Sequence, residues 1–529
     1  MVNRVRSILG RTNAAQTVGS AAAIISAAYL LSRVLGLLRD RLLIAQFGKG
    51  PILDAYNAAF RLPELLFTLL VSGAFAVAFI PVFTEHLQKD KRDEAWRIAS
   101  SLMTLLVLAT VVGGVLMGVL ADPLTTLVTP GFDRERHDMT VELTRIMLIT
   151  PVFFAISSVL GGIQQSFNRF TIFALSGVLY NLGIIGGIVL LAGHFGIYGV
   201  AYGVIIGVVL QAVFQWGGLY GLGFKFRPEL GLKLKGTRQT LALMVPRSLD
   251  QGIDQINYLF ETIIGSTLAQ GSIVAFTLAN NLKNVPLVLI SSSITTAVFP
   301  RLAARAAKGA RQELIAGYVK SARMILFLAI PSAVFAVVAR GYIVRLLYGF
   351  GDVDTANTLG WFAGTIVFAG LFQLVSRMYF AMQDTRTPLY VSLGSIPLNI
   401  ALSFTLSKLY GVSGLAMAAS TVALLETMIL LAILNRREGD FGGREILRGF
   451  APMVVCGAIM AGATYLSIKY VVPLYALDKG FLTLAPKFAL IVLIGGIFYL
   501  LPSYALRLAE SRFFIGRLRD MLSRSFTLT

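Results

Sequence analysis

Four charged residues interrupt the first apolar stretch of the chain, in the segment SRVLGLLRDR at residues 32–41. These residues are Arg33, Arg39, Asp40 and Arg41, and apolar sequence precedes and follows them. A guanidinium group offers a planar fork of N–H donors, which suits a phosphate or a pyrophosphate. An arginine in a hydrocarbon environment costs at least about 2.5 kcal/mol, so such residues normally face a protein interior or a watery cavity. We therefore expect Arg33 and Arg39 to bind an anionic ligand.

Three later apolar segments also carry charges. They are DAYNAAFRLPELL with Asp54, Arg61 and Glu64, PRSLDQGIDQINYLFE with Arg247, and LANNLKNVP with Lys283. The acids in the first half of the chain are expected to neutralise the cations when no ligand is bound. The alternative is that some of these charges lie at helix ends and extend to lipid headgroups. For Arg41 and Arg61 the sequence supports both a position that faces a cavity and a position at a helix end near the headgroups.

The composition defines the class of protein. Hydrophobic residues make up 56% of the 529 residues and charged residues only 14%, well away from the values of soluble proteins. Apolar stretches of about 20 residues, long enough to cross a bilayer as helices, recur along the whole chain. We expect an all-α integral membrane protein with about fourteen transmembrane helices.

The cations are distributed unevenly among the connections between these helices. The net charge is +19, but most cations lie in the N-terminal segment and in the even-numbered connections. The positive-inside rule then places the N-terminus, the C-terminus and the even-numbered connections in the cytoplasm. This distribution explains the positive charge by membrane orientation, and we expect no nucleic-acid partner.

An internal repeat organises the chain. VAFIPVFTE around Pro81 resembles TAVFPRLAAR around Pro300, and GIYGVAYGV resembles GVSGLAMAA, at offsets of roughly 218 residues. Each repeat holds an even number of helices, so we expect two parallel six-helix lobes related by an axis along the membrane normal. The predicted parts are a cytoplasmic N-terminus (1–16), an N-lobe (17–222), a cytoplasmic linker (223–235), a C-lobe (236–436), an accessory helix pair (444–508) and a basic cytoplasmic tail (509–529). The tail suits either an amphipathic helix on the anionic leaflet or a solvated basic segment.

The motifs resemble those of one family. SRVLGLLRD followed by AQFGKG, then DAYNAAFRLPELL, SGAFAVAFIPVFTE, NRF and QDTRTP are similar to the MurJ/MviN lipid II flippases, within the multidrug/oligosaccharidyl-lipid/polysaccharide exporter superfamily. The resemblance extends from about residue 17 to 440. It implies two lobes that alternate between inward and outward openings in a bacterial inner membrane. The implied substrate is lipid II, with its pyrophosphate-linked headgroup in a central cavity and its lipid tail beside the last two helices.

The resemblance also implies roles for individual residues. Arg33 and Arg39 match the family's two essential arginines, Asp40 the acid beside the second of them, and Asp54 the acid that opens the second helix. With the charges found above, the predicted substrate-binding residues are Arg33, Arg39, Asp40, Asp54, Arg61, Arg247 and Lys283. Some family members bind sodium, for which Asp254 and Asn399 are the candidate ligands here; packing between helices is the alternative role of Asn399. Other expected partners are membrane lipids and the cell-wall synthesis machinery, and no other cofactor is expected.

The chain departs from the family pattern at four positions. Phe67 replaces an arginine, Ser72 replaces an acid, and Asn280 and Asn281 replace an Asp-Arg pair. Lys283 follows two positions later, about 200° around the helix, so it replaces the lost arginine only if the helix is locally irregular. These changes leave room for a variant headgroup.

Other classes of function predict different residues. A multidrug or cation antiporter of the same superfamily needs an acidic cavity, whereas a polysaccharide-lipid flippase needs similar cations. An enzyme needs a catalytic constellation, and the sequence has no H-E-x-x-H, P-loop or G-x-S-x-G motif. We therefore predict a transporter rather than an enzyme.

Overall fold

The structure is a computed structural model that describes residues 18–71, 74–475, 478 and 480–512. Within this range it does not describe the side chains of residues 18–23, 74, 246, 247, 249, 250 and 254. The predicted cytoplasmic N-terminus, Ser72 and residues 513–529 of the predicted tail therefore lie outside the described residues. The backbone of Arg247 and Asp254 is described, but their side chains are not.

Fourteen long helices, α1 to α14, follow one another in the described part of the chain. In order they are Val18–Phe47, Pro51–Gln88, Arg92–Val119, Arg134–Ser166, Phe170–Phe195, Ile197–Gly217, Lys235–Ser266, Ser272–Ala307, Arg311–Val338, Val353–Ala381, Arg386–Tyr410, Val412–Glu438, Gly443–Val471 and Phe481–Ala505. Two short helices, Ala121–Val128 and Arg340–Tyr348, lie between α3 and α4 and between α9 and α10.

Twelve of the described helices are long and apolar enough to cross a membrane. The other two long helices, α1 and α7, have 30 and 32 residues and carry the charged segments described above. At about 1.5 Å per residue, both also exceed the thickness of the hydrocarbon core. The predicted all-α membrane fold is confirmed.

Several of these helices are interrupted. The helix α2 consists of the pieces Pro51–Ala59, Arg61–Leu70 and Ala74–Gln88. In α8 a π-helical turn at Leu287–Ser292 follows Pro286, whose missing N–H weakens the helix. By the repeat, α2 and α8 are equivalent, and each is irregular near its middle.

The chain forms two compact units, Met1–Val274 and Ala275–Thr529. In the first unit, α5 packs between α1 and α6, and α7 packs against α2. In the second unit, α12 packs against α10 and α11, and the accessory helices α13 and α14 pack on each other and on α9. The predicted lobe bounds, which follow the repeat, stay a prediction.

The two halves of the chain repeat the same local geometry. Gly196 precedes α6 with φ 56° and ψ −139°, and Gly411 precedes α12 with φ 58° and ψ −142°. Asp133 and Asp352 each accept a hydrogen bond from a backbone N–H of the helix that they cap. A left-handed conformation at these offsets suits glycine, which explains why GIYG and GVSG are similar in sequence.

A row of phenylalanines forms part of the core of the first unit. Phe75, Phe79 and Phe83 stack in succession on α2 with ring centres 4.9 Å apart, and Phe83 contacts Trp96 of α3 at 5.5 Å. Their spacing of four residues places them on one face of the helix. All three phenylalanines are buried.

Glycines bring α5 and α6 into backbone contact. A Cβ atom on Gly183 would lie 2.2 Å from the Cα atom of Gly207, and one on Gly187 would lie 2.6 Å from the Cα atom of Gly203. Small residues four positions apart allow membrane helices to approach closely, where they gain van der Waals contact.

We expect Gly183→Ala to destabilise the protein by about 1–3 kcal/mol, because the added methyl group meets backbone that cannot move independently. Gly186→Ala on the same helix is the control, since a Cβ atom there has no neighbour within 4 Å. Thermal unfolding in detergent compares the two variants. Equal unfolding temperatures for both variants would show that the glycine contact does not determine the packing of α5 on α6.

Candidate functional site

Arg39 and Asp40 form an ion pair on α1. The Nε and Nη2 atoms of Arg39 donate hydrogen bonds to Oδ1 of Asp40 at 2.9 and 2.7 Å. The Asp40 carboxylate is buried, and the Arg39 side chain is 24% exposed. Among the described residues, the Nη1 atom of Arg39 makes no hydrogen bond. The pair therefore neutralises the buried charge and leaves one side of the guanidinium group for a ligand.

Arg33 has different surroundings although it lies on the same helix. Its side chain is exposed, and its Nε atom donates a hydrogen bond to the hydroxyl of Tyr29 at 2.9 Å. The guanidinium carbon lies 5.1 Å from the centre of the Tyr29 ring, within cation–π distance. The structure thus gives the two predicted arginines of α1 separate partners.

Asp54 is fully buried in the first unit, with 2% of its surface exposed. Its Oδ2 atom accepts a hydrogen bond from the backbone N–H of Gly271 at 2.5 Å, and its Oδ1 atom accepts one from Val274 at 3.0 Å. The first N–H groups of a helix have no partner within that helix. The Asp54 carboxylate accepts hydrogen bonds from one N–H group in the loop after α7 and from one in the first turn of α8. Asp54 therefore caps the start of α8, although it lies more than 200 residues earlier in the chain.

Arg61 joins α2 to α7 within the first unit. Its Nε atom donates a hydrogen bond to Oγ1 of Thr262 at 2.8 Å, and its guanidinium carbon lies 5.7 Å from the centre of the Tyr258 ring. The Nη1 atom is also 3.5 Å from Oε2 of Glu64. No motif in the sequence points to Thr262 and Tyr258, although their spacing of four residues places both on one face of α7.

Lys283 lies in the second unit and is 9% exposed. Its Nζ atom is 4.5 Å from the centre of the buried Phe362 ring, which packs against Phe276. The second predicted residue in this unit, Asn399, is buried on α11. Among the described residues, no three histidine, cysteine or acidic side chains come together to hold a metal ion.

The described residues that depart from the family pattern either pack against an aromatic ring or are half-buried. Phe67 packs against Phe154 with ring centres 5.1 Å apart. Asn280 and Asn281 are half-buried on α8. Lys283 lies on the regular part of α8, since the π-helical turn begins only at Leu287.

The QDTRTP segment at residues 383–388 contains the connection from α10 to α11 and the first residues of α11, and Asp384 lies in that connection. Asp384 accepts hydrogen bonds from the backbone N–H groups of Arg386 and Thr387, both at 3.0 Å, and from Nη1 of Arg437 at 2.9 Å. Burial alone would raise the pKa of Asp384, but the hydrogen bonds from Thr387 and Arg386 and the charge of Arg437 outweigh it and hold the pKa below its usual value. The ionised carboxylate thus caps α11 and ties it to the end of α12.

The lowered pKa of Asp384 predicts the pH at which this contact is lost. Because the folded-state pKa lies below the unfolded value of about 3.9, the stabilisation is complete above that value and disappears as the pH falls through the folded pKa. We expect the stability difference between the wild type and Asp384→Asn to be constant from about pH 7 to 5 and to shrink below about pH 4. Thermal unfolding in detergent across this range measures the difference, with Asp90→Asn, at an exposed aspartate, as the control. A difference that does not change with pH would contradict this account.

The fold and these residues define an all-α membrane protein with repeated local geometry and with charged side chains on its long helices. The chain belongs to the lipid II flippase MurJ family, because the family model described as "Lipid II flippase MurJ" matches residues 43–485. This range begins near the end of α1 and extends to the start of α14.

Comparisons with individual proteins agree with this family. The probable lipid II flippase MurJ of Rhizobium meliloti (strain 1021) is 29% identical over 473 residues, which are 85% of this chain and 86% of that protein. A solved structure described as lipid II flippase MurJ in an inward closed conformation has a TM-score of 0.76 at 23% identity and covers 92% of this chain and 99% of its own. An inward-facing multidrug resistance MATE family transporter has a TM-score of 0.65 at 15% identity, over 78% and 95% of the two chains. The two structural matches concern the fold.

Proposed function

We propose that this chain is a lipid II flippase, which moves the pyrophosphate-linked headgroup from the cytoplasmic to the outer leaflet by alternating access. The observation that carries the proposal is the family match over residues 43–485. A transporter of this kind makes and breaks no covalent bond. Its residues must hold an anionic headgroup, shield it from the hydrocarbon and release it on the other side.

Arg39 is the residue that best fits the pyrophosphate. Its Nε and Nη2 atoms bind Asp40, while its Nη1 side remains available. A phosphate that approaches that side meets N–H donors in the planar arrangement that favours bidentate binding. Asp40 neutralises the guanidinium charge and fixes its orientation when no ligand is bound, which limits the cost of an empty site.

Arg33 is the second proposed contact, because its charge is exposed and its orientation is set by Tyr29. Arg247 and Lys283 remain candidates for further contacts with the headgroup. Asp54 and Arg61 bind other parts of the protein. Asp54 accepts a hydrogen bond from the backbone just before α8, and Arg61 joins α2 to α7. We propose that these two residues support the binding site and do not contact the pyrophosphate.

The membrane potential is the proposed driving force. A potential that is negative inside favours outward movement of an anion by about 2.3 kcal/mol per charge per 100 mV. A ligand bound equally tightly in both states shifts no equilibrium, so the arginines must hold the headgroup less tightly in the outward state. A sodium ion at Asp254 and Asn399 is the proposed alternative source of coupling.

The proposed location is the bacterial inner membrane, with both termini in the cytoplasm because the cations are concentrated there. Lipid II is the proposed substrate. Membrane lipids surround the helices, and the cell-wall synthesis machinery is a further proposed partner, since it consumes the transported precursor.

Native mass spectrometry of the purified protein tests the substrate site. The probes are lipid II, undecaprenyl phosphate and a bulk anionic phospholipid, each added to the wild type and to Arg33→Ala/Arg39→Ala. A second variant, Arg134→Ala, removes a fully exposed arginine and serves as the control. We expect lipid II to bind preferentially to the wild type and the control, and to lose most of its binding in the double variant.

Equal binding of all three lipids, unchanged by the double substitution, would show that these arginines have only a structural role. The polysaccharide-lipid flippase and cation antiporter functions would then be tested with their own ligands.

A further inference from the structure

The first unit contains a cavity of about 530 Å³. Residues of α1, α2, α4, α5 and α6 line it, and the rings of Phe67, Phe154 and Phe173 form much of its wall. Ile25 and Tyr29 at its edge are 37% and 39% exposed, so the cavity reaches the surface of the unit along α1. A volume between about 300 and 1,000 Å³ is typical of sites that bind small molecules or parts of larger ones.

Several polar groups in the wall have partners inside the protein. The hydroxyls of Ser158 and Ser176 donate to the carbonyls of Phe154 and Phe173 at 2.8 and 2.7 Å. The amide nitrogen of Gln215 donates to Ser176 at 2.9 Å. Oγ of Ser157 and Oε1 of Gln215 make no hydrogen bond among the described residues, and protein atoms cover both of them. The accessible surface of the cavity is thus mostly apolar, and its aromatic rings favour an apolar ligand.

The position of the cavity also favours an apolar chain. Its lining residues on α2, α4, α5 and α6 belong to helices that are long and apolar enough to cross a membrane, where the surrounding medium consists of hydrocarbon chains. An apolar chain that enters the cavity covers the aromatic wall. It breaks none of the hydrogen bonds that Ser158, Ser176 and Gln215 make.

A positive charge lies at the edge of this cavity. Tyr29 lines the cavity, and Arg33, one turn further along α1, binds the Tyr29 hydroxyl and lies over its ring. Because Arg33 is exposed, an anionic group there can bind its guanidinium group while an attached chain enters the cavity.

We propose that the cavity binds the apolar chain of an anionic lipid whose phosphate is held by Arg33. The inference rests on the anion-binding role of Arg33 in the proposed function and extends it with a site for the chain. The same chemistry is found in anionic phospholipids of the membrane and in polyprenyl phosphates, which share a phosphate and a long apolar chain.

Photolabelling in reconstituted membranes tests this proposal. The probes are phosphatidylglycerol, a polyprenyl phosphate and phosphatidylcholine, each with a photoactivatable group in its chain, and mass spectrometry locates the labelled residues. We expect one or both anionic probes to label the wall around Phe154 and Phe173, and phosphatidylcholine to label it weakly. Labelling by phosphatidylglycerol identifies a membrane phospholipid as a ligand, and labelling by the polyprenyl probe alone identifies a substrate-type lipid.

A matched pair of variants separates the cavity from the outer surface of α5. Gly177→Leu adds a side chain to the cavity wall, where a Cβ atom has only Oγ of Ser32 as a neighbour, at 3.8 Å. Gly186→Leu adds the same side chain to the same helix where no atom lies within 4 Å. We expect the first variant to lower labelling of the cavity about tenfold and the second to leave it unchanged. Ala174→Phe fills the same cavity from another position and replaces Gly177→Leu if that variant does not fold.

Arg33→Ala tests the role of the charge. We expect it to weaken labelling by the anionic probes about tenfold without affecting phosphatidylcholine. The proposal is overturned if filling the cavity leaves the labelling unchanged, or if all three probes label the wall equally in the wild type and in Arg33→Ala. Lipid II transport measured in the same membranes keeps the two proposals apart: normal transport without cavity labelling overturns only the chain site, and labelling without transport overturns only the flippase function.

Discussion

Arg39→Ala is expected to abolish lipid II transport and to destabilise the protein by about 3 kcal/mol, because it breaks the two hydrogen bonds and the ion pair that Arg39 makes with the buried Asp40 carboxylate. The two effects have different causes. The loss of stability comes from the broken buried ion pair, whereas the loss of transport comes from the guanidinium group that no longer binds the substrate. Thermal unfolding in detergent and transport in proteoliposomes measure them separately.

A double variant distinguishes these causes. Arg39→Ala/Asp40→Ala removes both charges, so we expect it to recover much of the stability and none of the transport. Arg39→Lys keeps the charge but loses the planar fork, so we expect a stable protein with reduced transport. Full transport in the stable double variant would show that Arg39 does not bind the substrate.

Asp54→Ala is expected to destabilise the first unit by about 2–4 kcal/mol, since it removes the acceptor for two buried backbone N–H groups. Hydrogen exchange at Gly271 and Val274 gives a local measurement, and we expect faster exchange there. Asp54→Asn retains one side-chain oxygen as an acceptor and is expected to have a smaller effect.

The effects of Asp54→Ala distinguish a structural role of Asp54 from direct contact with the substrate. If Asp54→Ala left hydrogen exchange at residues 271–274 and the unfolding temperature unchanged while it abolished transport, Asp54 would act on the substrate and not as a cap. If both stability and exchange change, its effect on transport follows from the position of the first turn of α8.

The sequence predicts the fold well because the bilayer imposes strong constraints. A membrane helix needs a long apolar run, and such runs are directly visible in this chain. The repeat was also visible, since an unusual backbone conformation at Gly196 and Gly411 requires the same residue type in both halves.

The partners of the charged residues were less predictable. Asp40 lies next to Arg39 in the sequence, so their ion pair follows from local geometry. Asp54 accepts from Gly271, and Arg61 donates to Thr262, about 200 residues later in the chain. No periodicity in the sequence indicates such contacts, because they depend on how α2 packs against α7 and the following loop.

Phe67 illustrates a second limit of sequence analysis. The resemblance to the family shows that Phe67 occupies the position of an arginine, but it does not indicate which residues the phenylalanine contacts. In the structure it contacts Phe154 and lines the cavity of the first unit. The change in residue type therefore makes this wall apolar, and that consequence depends on the neighbouring helices.

Transport of lipid II in proteoliposomes that contain only this protein tests the central claim most directly. Lipid II that reaches the far leaflet is detected by a membrane-impermeant reagent, with and without an imposed potential. We predict protein-dependent transport that accelerates when the side of origin is negative and that is lost in Arg39→Ala/Asp40→Ala, without movement of bulk phospholipid. Lipid II movement no faster than in protein-free vesicles, or equal movement of lipid II and bulk phospholipid, would contradict the claim.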